Sequence, residues 1–117
     1  MRAARSRWGG HVAGWMIAHM SFALPVKRLI ETETLIAFHH PAPAWTVHIL
    51  IVPKKVLEGV ENLDEGDASL LGEVFSAVQK LVKQFQLEQY RVIVNGGNYQ
   101  EVKQLHFHLV SGDSLTF

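Results

Sequence analysis

The sequence predicts an α+β domain in which an antiparallel sheet of about five short strands carries one long helix. Three observations lead there. Leu70, Leu71, Val74, Phe75, Val78, Leu81, Val82 and Phe85 recur at helical spacing, with Glu73, Gln79, Lys80 and Lys83 opposite. The runs from Val47 to Val52 and from Tyr90 to Val94 are β-branched and short, and are stopped by Pro53 and by Asn95-Gly96-Gly97-Asn98. From Val102 to Val110 the chain alternates, with Leu105, Phe107 and Leu109 facing one way and Gln104, His106 and His108 the other.

In chain order, residues 1–21 read as an N-terminal extension, mobile or forming a short helix, and 22–117 as the domain. Arg2, Arg5 and Arg7 precede a mildly apolar stretch that superficially resembles a secretory signal. His11, His19 and three glycines interrupt that stretch, and no A-x-A cleavage pattern follows. It is also too short and broken to cross a membrane. Translation starting at Met16 or Met20 would account for it, and a cytoplasmic protein is expected. Leu29 to Glu31 and Leu35 to His39 flank Thr32-Glu33-Thr34 as a hairpin. Pro41 and Pro43 then stiffen the link to the next strand. After the polar break from Asn62 to Asp67, Asp64 is the expected cap of the long helix. Ser111-Gly112-Asp113 closes the last strand.

Composition narrows the function classes. The 117 residues suit one domain, and 48% of them are apolar, enough for one core. Eleven acidic and eleven basic residues leave no broad positive field for a nucleic-acid backbone. The absence of cysteine excludes disulfides, thiolate metal sites and cysteine nucleophiles.

The seven histidines matter through their placement. Period two sets Gln104, His106 and His108 in a row, next-but-one neighbours ~7 Å apart, anchored by the apolar residues between them. Imidazole alone titrates near neutrality without perturbation, so such a row can attack, accept or donate a proton at working pH. His48, in a strand otherwise made of core residues, needs a polar partner, and Gln104 or His106 would supply one. A core histidine bonded to backbone is the alternative. Zinc is the rival reading of His106-Phe107-His108, with His39, His40 or His48 completing the set, although no carboxylate lies in these strands. A purely structural histidine row is a third.

Gln104-Leu105-His106-Phe107-His108-Leu109-Val110 resembles the motif of the histidine-triad (HIT) family, His-x-His-x-His followed by two apolar residues. Ala37-Phe38-His39 with His48-Ile49-Leu50-Ile51-Val52-Pro53-Lys54-Lys55 resembles its strand pair and Pro-Lys turn. Ser69-Leu70-Leu71-Gly72 is similar to its helix start, and Val94-Asn95-Gly96-Gly97, Gln100 and Val102 to the loop before the triad, so the likeness runs from about Lys27 to Gly112. It implies a HIT-like fold, a homodimer joined through its sheets, and hydrolysis or nucleotidyl transfer at the α-phosphorus of a nucleoside phosphoramidate or related nucleotide. No cofactor, metal, nucleic acid or membrane is implied. His106 matches the nucleophile that forms a nucleotidyl-histidine, oriented by the backbone carbonyl near Gln104. His108 matches the donor to phosphate and leaving group. Gln104, Asn95, Gln100, His48 and His40 make up the implied substrate- and phosphate-binding set, for an adenine or guanine nucleotide.

The chain departs from the family pattern at named positions. Gln104 replaces the first histidine; it can donate to phosphate but cannot carry a proton to a leaving group. His40 stands at the ribose-binding aspartate and cannot accept from both hydroxyls as a carboxylate does. Glu101 takes the place of a phosphate-contacting serine or threonine, and Val56 that of another histidine. These departures favour, as the alternative, a nucleotide-binding or regulatory protein with little turnover. Trp45 reads either as the wall of a base pocket or as ordinary packing.

Overall fold

The computed structural model describes residues 27–115, so the expected extension, 1–21, and the outermost residues of the expected domain lie outside the described residues. Strand β1 (Ile30–Glu31) turns into β2 (Leu35–His39) where the Thr32 hydroxyl oxygen accepts from the Thr34 and Leu35 amides, each at 3.1 Å. Strand β3 (Trp45–Pro53) follows the proline link, then two 3-10 turns and helix α1 (Ala68–Gln84). Strands β4 (Arg91–Ile93) and β5 (Phe107–Ser114) complete an antiparallel sheet ordered β1-β2-β3-β5-β4.

One sheet face receives the helix. Leu70, Val74, Ala77, Val78 and Leu81 of α1 pack on Leu35, Ala37, Ile49, Ile51, Leu105, Phe107 and Leu109. Each leucine, isoleucine, valine or phenylalanine among them contributes roughly 1.5–3 kcal/mol when fully buried, which holds the helix to the sheet. The register sets the opposite face: Phe38 pairs with Leu50, Leu50 with His108 and His108 with Ile93, while His48 pairs with Val110 and Val110 with Arg91. Ile36, Phe38, Leu50, Val52 and Val110 on that face are also buried. This is why β3 reads as a continuous apolar run rather than an alternating one.

Several expectations change in detail. Asp64 caps the 3-10 turn Glu65–Asp67, its Oδ1 accepting from Gly66 N at 2.8 Å, and α1 starts after that turn. Phe75 is half exposed, its ring edge-on to Phe107 with centroids 6.4 Å apart. Tyr90 and Val94, expected in β4, flank it and are exposed. Most consequentially, β5 begins at Phe107: residues 102–106 are irregular, so the alternation there does not mark a paired strand. Near its other end the step from Trp45 to Val47 faces the longer step from Ser111 to Ser114. Gly112, at φ +85°, takes up the extra residue as a bulge, and a Cβ there would meet Thr46 Cβ at 2.7 Å.

Candidate active site

A backbone amide at the end of the proline link starts a chain of histidines. Ala44 N donates to His48 Nδ1 at 2.9 Å, which places the proton of neutral His48 on Nε2. That nitrogen lies 2.8 Å from His108 Nδ1 and donates to it, leaving the His108 proton on Nε2. The partner of His48 is therefore His108, not Gln104 or His106. His40 is pinned likewise, its Nδ1 accepting from Ala42 N at 2.9 Å, and its ring stacks on His48 with centroids 4.3 Å apart. His39 points away, edge-on to Phe85 near the helix.

His106 precedes β5, with its ring centroid 5.0 Å from that of His108. Its Nδ1 donates to Gln104 O at 2.6 Å, so the neutral ring carries a lone pair on Nε2. All three rings are biased toward the neutral form. Burial, then His106, pushes His48 down to about 4. Burial, then His106, His48 and His40, pushes His108 down to about 2. Burial also lowers His106, outweighing the bond to Gln104 O.

The two glutamines do other work than their expected one. Both hydrogens of Gln104 Nε2 go to carbonyls, Pro53 O at 3.0 Å and Lys55 O at 2.9 Å, and its Oε1 accepts from Leu57 N at 3.3 Å. In this arrangement both Gln104 Nε2 hydrogens are spent on the backbone rather than directed at a phosphate. Gln100 Nε2 donates to Glu58 O, again a backbone group. Asn95 is half buried, and continuing the β4–β5 register past Ile93 sets it level with His106. Lys103 Nζ reaches Gly97 O at 3.4 Å. Trp45 meets His48 edge-on at 5.2 Å and walls a cavity of about 380 Å³ that Tyr90, Arg91 and Val110 also line.

Sequence reasoning brought His40, His48, His106 and His108 together by likeness, but missed Ala44 and Ala42 as the groups that fix the rings. Backbone amides carry no residue signature; only the proline-constrained link hinted at a fixed geometry. Among the described residues, no group of three or more His, Cys, Asp or Glu side chains is arranged to hold a metal ion, and no helix is long and apolar enough to cross a membrane.

Comparison with known proteins agrees with this fold. The HIT domain model matches residues 22–115. A HIT-like protein of Chlamydia muridarum, itself uncharacterized, is 35% identical over 96 residues, 80% of this chain and 76% of that protein. A HIT family hydrolase from Clostridium thermocellum superposes with TM-score 0.75 at 31% identity, covering 85% of this chain and 90% of that one. A histidine triad nucleotide-binding protein from Candida albicans does so with TM-score 0.67 at 29% identity, covering 78% and 68%.

Proposed function

This chain belongs to the HIT family, matched over residues 22–115, and on that premise we propose that it cleaves a nucleoside phosphoramidate or related nucleotide at the α-phosphorus through nucleotidyl-His106. The observation that carries the reading is the His106 ring itself, neutral by burial and held at Nδ1 by Gln104 O so that Nε2 keeps its lone pair. That lone pair attacks phosphorus, the P–N bond breaks, and water then splits the His106–phosphorus bond to release the nucleoside monophosphate. The departing amine takes up one proton and the attacking water gives one back. The cycle therefore balances without a fixed acid at position 104. His108, with its proton on Nε2, donates to the phosphoryl oxygens and the leaving atom.

His40 and His48 shape the pocket beside it, Asn95 donates to phosphate, and the cavity beside Trp45 offers an aromatic wall for an adenine or guanine base. A homodimer is supported by β4, an edge strand among the described residues, flanked by exposed Tyr90 and Val94. The proposed domain is 22–117, in a cytoplasmic protein. The imidazole that replaces a carboxylate at His40 favours the second reading, nucleotide binding with little turnover.

The test incubates wild type with a fluorogenic adenosine phosphoramidate in the presence of chelator, with acid quench and mass spectrometry. A nucleotidyl adduct on His106, formed and discharged at the turnover rate, is the expected result. AMP binding with neither adduct nor release would replace the hydrolase by the binding protein.

A further inference from the structure

The segment that carries His106 is irregular yet buried: Gln104, Leu105 and His106 are 2%, 0% and 8% exposed, and β5 starts only at Phe107. Buried backbone without a ladder must find other partners. The facing stretch, 53–59, also leaves the ladder once β3 ends at Pro53, with Leu57 and Gly59 buried in it. The two irregular segments satisfy each other. Leu105 N donates to Leu57 O at 2.7 Å, and Gln100 donates to Glu58 O. Between them the Gln104 carboxamide serves Pro53 O, Lys55 O and Leu57 N at once.

We propose that Gln104 is a positioning residue for His106, its carboxamide clamping the 53–57 turn and so fixing the backbone carbonyl to which the His106 ring is bonded. The pattern of partners selects the residue type. Two carbonyls and one N–H require two donors and one acceptor on one short planar group, which a carboxamide supplies. A neutral imidazole has one donor and one acceptor, an ionised carboxylate no donor, and an aliphatic side chain neither. Glutamine at this position is thus specified by the turn rather than by a phosphate. Side chain and carbonyl belong to the same residue, so any shift of the clamp moves the acceptor that holds His106 Nδ1. The inference deepens the proposed nucleophilic role of His106 and rests on it.

The experiment makes Gln104→His, which restores the family's motif residue, and Gln104→Leu in the full chain. It reads kcat and KM with adenosine phosphoramidate, long-range ¹H–¹⁵N spectra of the imidazoles, and amide exchange at Leu57 and Leu105. In both variants kcat should fall at least ~10-fold with KM held within about twofold, because orientation is lost and binding is not. The His106 Nδ1 proton and the two amides should exchange faster while core amides of α1 stay protected. A raised KM with unchanged kcat and imidazole spectra would make Gln104 a substrate contact and overturn the proposal. Wild-type kcat with an unchanged His106 signal would overturn it too. If the wild type itself shows no turnover, the proposed reaction fails on its own, and the spectra and exchange rates still decide the clamp. Loss of fold in both variants would overturn the proposal in favour of a purely structural residue.

Discussion

His108 sits on a strand paired on both sides, whereas His106, two residues earlier, hangs from a segment that joins no strand. The first is placed by the ladder, through Leu50 on one flank and Ile93 on the other, and its ring is set by His48 and Ala44. The second is placed by a carbonyl, and that carbonyl by a side-chain amide. The sheet thus supplies a rigid donor, while a locally bonded loop supplies the group proposed to form and break a covalent bond. The two mounts differ in what holds them: strand pairing for the donor, a few local hydrogen bonds for the nucleophile.

That contrast is broken first by the largest change. His106→Ala should lower kcat by at least ~10⁴-fold with the fold retained, since the covalent route is lost as a whole. Steady-state rates with the phosphoramidate check it, and a variant within tenfold of wild type would end the nucleophile assignment. Next comes the relay behind His108. His48→Phe removes the Nε2–H that sets the His108 tautomer, so Nδ1 is free to take the proton and Nε2 to lose its donor role. A kcat loss of ~10- to 100-fold is expected, smaller than for His106, because a donor rather than the reacting atom is misset. Imidazole ¹⁵N shifts of His108 should move toward the other tautomer; unchanged shifts with unchanged kcat would sever the relay.

The buried rings also leave a signature in stability. His48 and His108 are held far below the ordinary histidine value and His106 below it, so below pH ~6.5 the unfolded chain binds protons the native protein does not. Stability is therefore full above that pH and falls as pH drops, by up to about 1.4 kcal/mol per pH unit for each ring. The share of His48 stops growing near pH 4, where the native ring itself protonates. Urea midpoints of wild type and His48→Phe between pH 7 and 5 test this, carboxylate effects being common to both. The variant should show the shallower loss, and parallel curves would mean that the His48 ring is not held neutral.

What was legible in the sequence follows the same division. Helix α1, the β1–β2 hairpin, β3 and the histidine face of β5 were readable because periodicity and turn chemistry are local signals. The irregular stretch from 102 to 106 was not, because Val102, Leu105 and their polar neighbours alternate whether or not a strand pairs beside them. His48 was recognisable as a polar residue in need of a partner, but the choice of His108 over Gln104 depends on the sheet register. Gln104 looked like a weakened catalytic residue for the same reason. Its carbonyl partners lie some fifty residues away, at Pro53 and Lys55, and no spacing rule reaches them.

The smallest effect concerns the far end of the same turn. Lys55 Nζ meets Asp67 Oδ1 at 2.6 Å, tying the turn to the start of α1, and the pair holds the Asp67 carboxyl below and the Lys55 amine above their ordinary values. The Lys55 side chain is 55% exposed, however, and an ion pair open to solvent is screened by water and salt. The turn keeps its three bonds to Gln104 and the Leu105–Leu57 bond whether or not the charge pair is present. Lys55→Met should therefore leave kcat within about twofold of wild type and leave the His106 Nδ1 proton as protected as before. A tenfold loss of kcat, with faster exchange at that proton, would show that the turn is anchored at its charged end. The mount of His106 would then have to be traced through Asp67 and the helix rather than through the carboxamide.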